Sequence, residues 1–297
     1  MSGVYGCLII TRNVFHRCPR QDFIIASSFL SYLSSKQIRN NSDAIIPVKL
    51  AYVSYESMNG NKNASKQPII IMHGLFGSKT NWSSLSKTIH QQTERKVITV
   101  DARNHGDSPH STDMTYSHMA QDIVQLINDL GFEKSVLIGH SMGGSTMIPH
   151  LLELEKIFKA MRAINLDGST TLTKARAMVK EQLATVVKSL SLRQFLAMNL
   201  VEADIGKYKW RVNLPVLEQS FAKQIAVFPN VGSKTYNGPT LFIGGANSDY
   251  LRKQDHDKIK ELFPSAHFIY INDANHWVHA DKPIEFLKVT IDFINQL

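Results

Sequence analysis

The sequence predicts an α/β fold: a mostly parallel central sheet flanked by helices and topped by a helical cap. Three observations carry this. Short apolar runs rich in β-branched residues recur along the chain, as expected of parallel strands buried on both faces. Amphipathic helical patterns separate most of them, and alternation of that kind builds parallel sheets. One long stretch, 169–236, breaks the rhythm with helical patterns and no clear central strand. An insertion of that size reads as a cap, because structureless loops so long are rare.

Taken in order, Val48–Tyr55 alternates and reads as a strand. The polar stretch Ser54–Lys66 follows, with Asn59-Gly60 as a hairpin tip. Six buried strands come next: Pro68–His73, Val97–Val100, Ser135–Gly139, Ala163–Leu166, Thr240–Gly244 and His267–Ile271. Met119–Leu130 sets Ile123, Leu126, Ile127 and Leu130 on one stripe, and Ile284–Ile294 repeats the pattern with Phe286, Leu287, Thr290 and Phe293. Within the cap, Ala175–Leu190 and Pro215–Phe228 have helical spacing.

Composition bounds the function. With 297 residues, 43% hydrophobic and 20% charged, the chain can bury a sizeable core. Half of the net charge of +8 lies in residues 1–42, where Arg12, Arg17, Arg20, Lys36 and Arg39 face one acid, Asp22. The leader is rich in Arg, Ser and apolar residues, which is the composition of a mitochondrial transit peptide. The expected division is therefore 1–42 as transit peptide and 43–297 as the catalytic domain, in the mitochondrion, with the matrix as its place. The remaining charge is mild, and no basic stripe or base-stacking motif points to nucleic acid. No run approaches the ~20 apolar residues needed to span a bilayer. Cys7 and Cys18 both lie in the leader, so a mature chain has no disulfide framework, thiolate metal site or cysteine nucleophile.

Three motifs carry chemistry. Gly139-His140-Ser141-Met142-Gly143-Gly144 follows the strand Val136–Ile138 and precedes a helical stretch, Met142–Lys156. A G-x-S-x-G sequence in that setting is a sharp strand-to-helix turn that lifts the serine out at the carboxyl edge of the sheet. Ser141 is thus the candidate nucleophile, and the Met142 N–H faces the place where an oxyanion forms. His73-Gly74-Leu75-Phe76-Gly77-Ser78 follows its own strand and supplies a second oxyanion donor, Leu75 N–H, with Phe76 beside it. His73 reads as a structural histidine holding this turn. Asp273-Ala274-Asn275-His276-Trp277-Val278-His279 follows the last strand. A serine hydroxyl is a poor nucleophile at neutral pH and needs an imidazole to take its proton. His276 is the favoured base, Trp277 a pocket wall, and His279 a surface histidine.

Two aspartates qualify as the acid that orients the base. Asp167 ends the fourth strand and Asp249 follows the fifth. Asp273 lies only three residues before His276, and Asp101 precedes Ser141, the wrong chain order for this arrangement. Asp101 reads instead as a turn-forming aspartate paired with Arg103. No metal-ligand spacing or phosphate-cradling loop is evident, and no cofactor is expected; Asp255-His256-Asp257 suits a solvated helix start.

These residues resemble the α/β-hydrolase superfamily: the His73–Ser78 and Gly139–Gly144 motifs, and Asp101-x-Arg103-x-His105-Gly106-x-Ser108. The cap segments Phe195–Glu202 and Trp210–Leu214, with Gly244–Ser248 and Asn275–Ala280, are similar to one branch. It holds mitochondrial serine hydrolases, bacterial esterases and fungal ethanol acetyltransferases. The resemblance implies the α/β-hydrolase fold over about Val48 to the C-terminus. It implies a carboxylic ester hydrolase of acylglycerol lipase or esterase type, acting on acyl or lipid esters or thioesters through an acyl-Ser141 intermediate. It also implies Asp167 as the acid, since the branch usually has Asn-Ser, here Asn247-Ser248, where Asp249 would compete. Two departures are visible: Gly-Ser-Thr follows Asp167 where relatives often have proline, and Asn275 replaces a usual glycine. Two other functions fit the resemblance. One is acyl transfer to an alcohol by the same triad; the other is protection of a mitochondrial partner, the lipoylated 2-oxoglutarate dehydrogenase complex.

Overall fold

The computed structural model describes residues 8–14, 45–57, 66–143, 151–166, 171–225 and 235–297. In chain order its elements are β1 (Leu8–Val14), β2 (Tyr52–Tyr55), β3 (Ile69–Met72), α1 (Ser83–Thr93), β4 (Val97–Val100), α2 (Tyr116–Asp129) and β5 (Lys134–His140). After them come α3 (Leu151–Ala163), α4 (Leu172–Gln182), α5 (Leu190–Ala197), β6 (Leu200–Asp204), β7 (Lys207–Trp210) and α6 (Leu214–Ser220). The chain ends with β8 (Thr240–Gly245), α7 (His256–Leu262), β9 (Ala266–Ile271), α8 (Val278–Asp281) and α9 (Pro283–Ile294).

The main sheet has the order β2-β4-β3-β5-β1-β8-β9. β3 pairs in parallel with β4 and β5, and β8 with β9, while β2 is antiparallel on β4. The apolar runs explain why the middle strands sit there. Ile69 and Ile71 face one side, with Val97, Val136 and Ile138, and pack on Trp82 and Ile89 of the first crossover and on Phe286 and Ile294 of α9. Ile70 faces the other side, with Ile98 and Val100, and packs on Ile123, Leu126 and Ile127 of α2. A period of two places successive side chains on opposite faces, so a run apolar at every position demands cover on both.

The helices obey the stripes that predict them. α2 begins with Thr115, whose hydroxyl accepts from the His118 N–H, a cap contributing about 1 kcal/mol. α9 starts with Pro283 in its first turn, where the missing N–H costs nothing. Among the described residues no helix is long and apolar enough to cross a membrane.

Two expectations are corrected. The cap is not purely helical: β6 and β7 form an antiparallel hairpin between α5 and α6. α6 then runs into a single π-turn, Phe221–Ile225. The fourth run is no strand either. α3 continues to Ala163, and the Asn165 carbonyl accepts from the Gln182 side-chain amide at 3.0 Å rather than from a neighbouring strand. Its expected slot beside β5 is filled by β1 from the leader, antiparallel to both neighbours, with seven residue pairs to β5 and four to β8. β1 thus lies wholly within residues 1–42. Asn59-Gly60 and Asp167 lie outside the described residues.

The slot between β5 and β8 has to be filled, because Val136, Ile138, Leu241 and Ile243 are buried there and an open ladder would leave backbone groups unpaired. When β1 is absent, Ile164–Leu166 is the segment placed to enter: it directly follows α3, and a right-handed crossover from β5 delivers the next parallel strand alongside it. A chain beginning at residue 43 is therefore expected to fold with Ile164–Leu166 in the sheet. Hydrogen exchange checks this: amides 164–166 should be strongly protected in the short chain and exchange faster in the full one, where the Ile164 and Asn165 amides make only long bonds of 3.4 Å. Failure of the short chain to fold would make β1 an integral strand.

Candidate active site

β5 ends at His140, and a single 3-10 turn, Ser141–Gly143, follows. Ser141 has φ +53° and is 3% exposed. A left-handed serine costs on the order of 1–3 kcal/mol and persists only where its surroundings fix it. Gly143 does much of the fixing. A Cβ there would lie 2.5 Å from the Met72 carbonyl oxygen and 2.8 Å from that of His73, so only glycine lets the turn seat against the end of β3. The opposite wall is built alike. A Cβ on Gly245, at the end of β8, would lie 2.2 Å from the Asn275 carbonyl oxygen. The Ala246 and Asn247 amides donate to the Ile271 and Ala274 carbonyls, at 2.9 and 3.0 Å. The loop that carries His276 is thereby held to the sheet.

Ser141 and His276 open onto one cavity of about 270 Å³. Leu75 and Phe76 form its rim, Leu154 and Ile157 come from α3, Leu192, Phe195 and Leu196 from α5 of the cap, and Trp277 closes the side. The walls are mostly apolar, suited to an acyl chain rather than to a charged ligand. Trp277 is the pocket wall that the sequence predicts, its ring 6.3 Å from that of Phe195.

His276 is set between two rings that the motifs did not assign. Tyr250 lies 4.0 Å from it, centre to centre, and His140 5.0 Å. His140 Nε2–H donates to the His276 carbonyl at 3.2 Å, fixing the backbone that carries the base. The signal for His140 was present, since it occupies the variable position of the serine motif itself. Asp249 is exposed, and it is its neighbour Tyr250 that meets His276. His279 is no surface histidine: it is buried, stacked on Trp82 at 4.3 Å with 12° between planes, and edge-on to His140.

Two more buried histidines fix the oxyanion loop. His73 Nδ1–H donates to the Gly74 carbonyl at 2.7 Å, and its Nε2 accepts from the Ala102 N–H at 3.0 Å. His105 Nδ1–H donates to the Arg103 carbonyl at 2.9 Å, and its Nε2 accepts from the Phe76 N–H at 3.2 Å. The Phe76 amide is thus engaged away from the cavity, leaving Leu75 and Met142 as the sequence-predicted donors. Each ring both gives and accepts one hydrogen bond, which only a neutral imidazole does. Burial pushes His105 down to about 3 and His140 to about 4, and lowers His73 and His279 as well.

Asp101 serves this loop without belonging to the chemistry. Its carboxylate accepts from the Lys79 and Asp107 amides, at 2.6 and 2.8 Å, and from the Lys79 ammonium. It does not pair with Arg103, whose guanidinium instead grips Asp122 with two bonds of 2.7 Å. Among the described residues no group of histidines, cysteines and carboxylates is placed to hold a metal ion.

Known proteins resemble the chain over most of its length. The model of the alpha/beta hydrolase family matches residues 69–289. The sn-1-specific diacylglycerol lipase ABHD11 of Mus musculus is 39% identical, over 96% of this chain and 97% of the mouse protein. The esterase YbfF of Escherichia coli is 30% identical, over 84% and 100% of the two chains. A probable alcohol acetyltransferase of Saccharomyces cerevisiae is 28% identical, over 98% and 96%. Among solved structures, a marine microorganism esterase superposes with a TM-score of 0.72 at 29% identity, over 83% of this chain and 99% of that one.

The neutral histidines give a pH dependence with a definite sign. Their folded pKa values lie below the unfolded value near 6.5, so the unfolded chain binds more protons in acid. The stability they permit is complete above about pH 6.5 and declines as pH falls toward 4, by roughly 1.4 kcal/mol per unit for each group fully engaged. Thermal unfolding from pH 8 to pH 4 is expected to show a plateau, then a steep fall that His140→Gln makes shallower. A melting temperature flat to pH 4 would contradict this.

Proposed function

The chain belongs to the alpha/beta hydrolase family, and from that premise we propose that it hydrolyses carboxylic esters of acyl lipids through an acyl-Ser141 intermediate. The observation that carries this is the left-handed serine at the floor of an apolar cavity that it shares with His276. The relative named as a diacylglycerol lipase supports acylglycerol esters as the substrate class.

The proposed reaction has two halves. Ser141 Oγ attacks the ester carbonyl carbon while its proton passes to the His276 imidazole. The carbonyl oxygen becomes an oxyanion and takes hydrogen bonds from the Leu75 and Met142 amides. The tetrahedral intermediate collapses, the bond to the alcohol oxygen breaks, and that oxygen takes the proton from His276. Water then attacks the acyl carbon, giving its proton to His276. The carboxylic acid leaves as the Ser141 oxygen recovers a proton. Asp167 is the proposed acid that orients His276: the resemblance maps the acid onto it, and a strand formed by Ile164–Leu166 in a chain without β1 would end at the carboxyl edge, on the side of His276. We also propose that residues 1–42 direct the chain to mitochondria, on their Arg- and Ser-rich, acid-poor composition.

A fluorophosphonate probe is expected to label the wild type and to leave Ser141→Ala unlabelled. His276→Ala and Asp167→Asn should each lower kcat on a diacylglycerol by about 10⁴-fold or more, while Asp249→Asn stays near wild type. Folded wild-type protein that neither labels nor releases fatty acid would overturn the reading. Adding ethanol to the assay distinguishes transfer from hydrolysis, since a transferase would yield the ethyl ester in place of free acid.

A further inference from the structure

The cap motif Phe195–Glu202 has no role in the chemistry so far, yet one of its residues reaches the oxyanion loop. Asn199 is 5% exposed, and its Nδ2 donates to the Phe76 carbonyl at 2.9 Å. Its own backbone is pinned from both sides of the cap: its N–H donates to the Leu196 carbonyl of α5 at 3.1 Å, and its carbonyl accepts from the Arg211 N–H, just past β7, at 2.7 Å. The side chain therefore moves only with the cap.

Phe76 is the residue that most requires such a clamp. Its φ of +61° is a place for glycine in a turn, and a bulky residue there is strained. Its two peptide groups are held at opposite ends, the N–H by His105 of the core and the carbonyl by Asn199 of the cap. The same turn is closed by the Gly77 N–H on the Gly74 carbonyl, at 2.9 Å. That carbonyl shares a planar peptide with the Leu75 N–H, and the two groups of a trans peptide point opposite ways. Whatever holds Phe76 and Gly77 therefore aims the Leu75 donor. A second asparagine repeats the stitch: Asn213, following β7, donates from Nδ2 to Asn104 Oδ1 at 3.0 Å and from its backbone to the Asn104 carbonyl at 2.9 Å. Asn104 lies next to His105, so both cap contacts end on the two segments that fix Phe76.

We propose that Asn199 is a positioning residue through which the docked cap sets the oxyanion hole, so that the Leu75 donor is aimed only when the cap is seated. The inference rests on the ester-hydrolase reading of Ser141. It makes the cap more than a lid over the acyl chain: seating it completes the stabilisation of the transition state, and binding an oxyanion in turn secures the cap.

The test uses the full chain with 4-nitrophenyl butyrate and a trifluoromethyl ketone, which adds the serine to form a bound oxyanion. Asn199→Ala removes the donor with its volume, and Asn199→Asp removes it at nearly constant shape. Both are expected to lower kcat by about 10- to 100-fold with KM within about threefold, and to weaken the ketone by the same factor as kcat. A merely structural role would lower the melting temperature without that matched loss. Coupling is reciprocal, so in the wild type the ketone should slow hydrogen exchange at amides 196–199, a measurement that needs no variant. Variants that keep kcat, a rise in KM alone, or unchanged exchange in the cap would overturn the proposal. Wild-type protein that fails to label with fluorophosphonate would sink the hydrolase reading instead.

Discussion

The close seating of Gly143 on the carboxyl end of β3 is the contact on which the rest of the site depends. With the Met72 and His73 carbonyls where a side chain would start, the turn after β5 comes into contact with the loop after β3. That contact sets the strained serine beside Gly74, where an added Cβ would lie 3.0 Å from the Ser141 Cβ. The strain is sustained because the strands beneath are over-determined: β3 is paired in parallel on both sides, and Ile69, Ile70 and Ile71 are almost wholly buried. Relaxing Ser141 would require moving a sheet that has no freedom to move.

Around this contact the loops are held by buried imidazoles rather than by backbone ladders. A strand end has no neighbour to pair with, and a neutral histidine replaces one by offering a donor and an acceptor on a rigid ring. His73 and His105 do this for the oxyanion loop, and His140 for the His276 backbone. Their neutrality matters to the chemistry as well. In the proposed reaction His276 becomes an imidazolium, and a cationic His140 5.0 Å away would oppose that charge. Burial that keeps His140 unprotonated thus leaves the base able to accept the serine proton.

Much of this was legible in the sequence. The buried strands β3, β4 and β5 appear as mostly apolar runs, and the serine turn as a glycine-spaced motif after one of them. His276 follows from its place after the last strand. What was not legible has a common physical cause: it depends on partners far apart in the chain. Asn199 meets Phe76 across 123 residues and His140 meets His276 across 136, and no local periodicity encodes either contact. The burial of His279 is not legible because a histidine eight residues past a strand gives no sign that Trp82 will cover it. The cap hairpin was missed because Leu200–Trp210 is only half-buried, so its alternation is weak.

The exchange of a strand in the centre of the sheet follows from the same competition between local and distant pairing. Ala163–Leu166 offers four residues to the slot beside β5, whereas Leu8–Val14 offers seven, and each added pair extends the ladder. Antiparallel pairing is also slightly the more stable per residue. Connectivity favours the shorter segment, which follows α3 directly and closes only a local crossover, while β1 closes a loop of more than 100 residues to reach β5. Length and geometry thus favour the leader, and chain connection favours Ile164–Leu166. The outcome bears on catalysis because Asp167 follows that segment. In the proposed reading, a chain that gave the slot to Ile164–Leu166 would bring the proposed acid, Asp167, to the sheet edge near His276. On that proposal, the place of the leader and the completion of the triad would follow from one pairing choice.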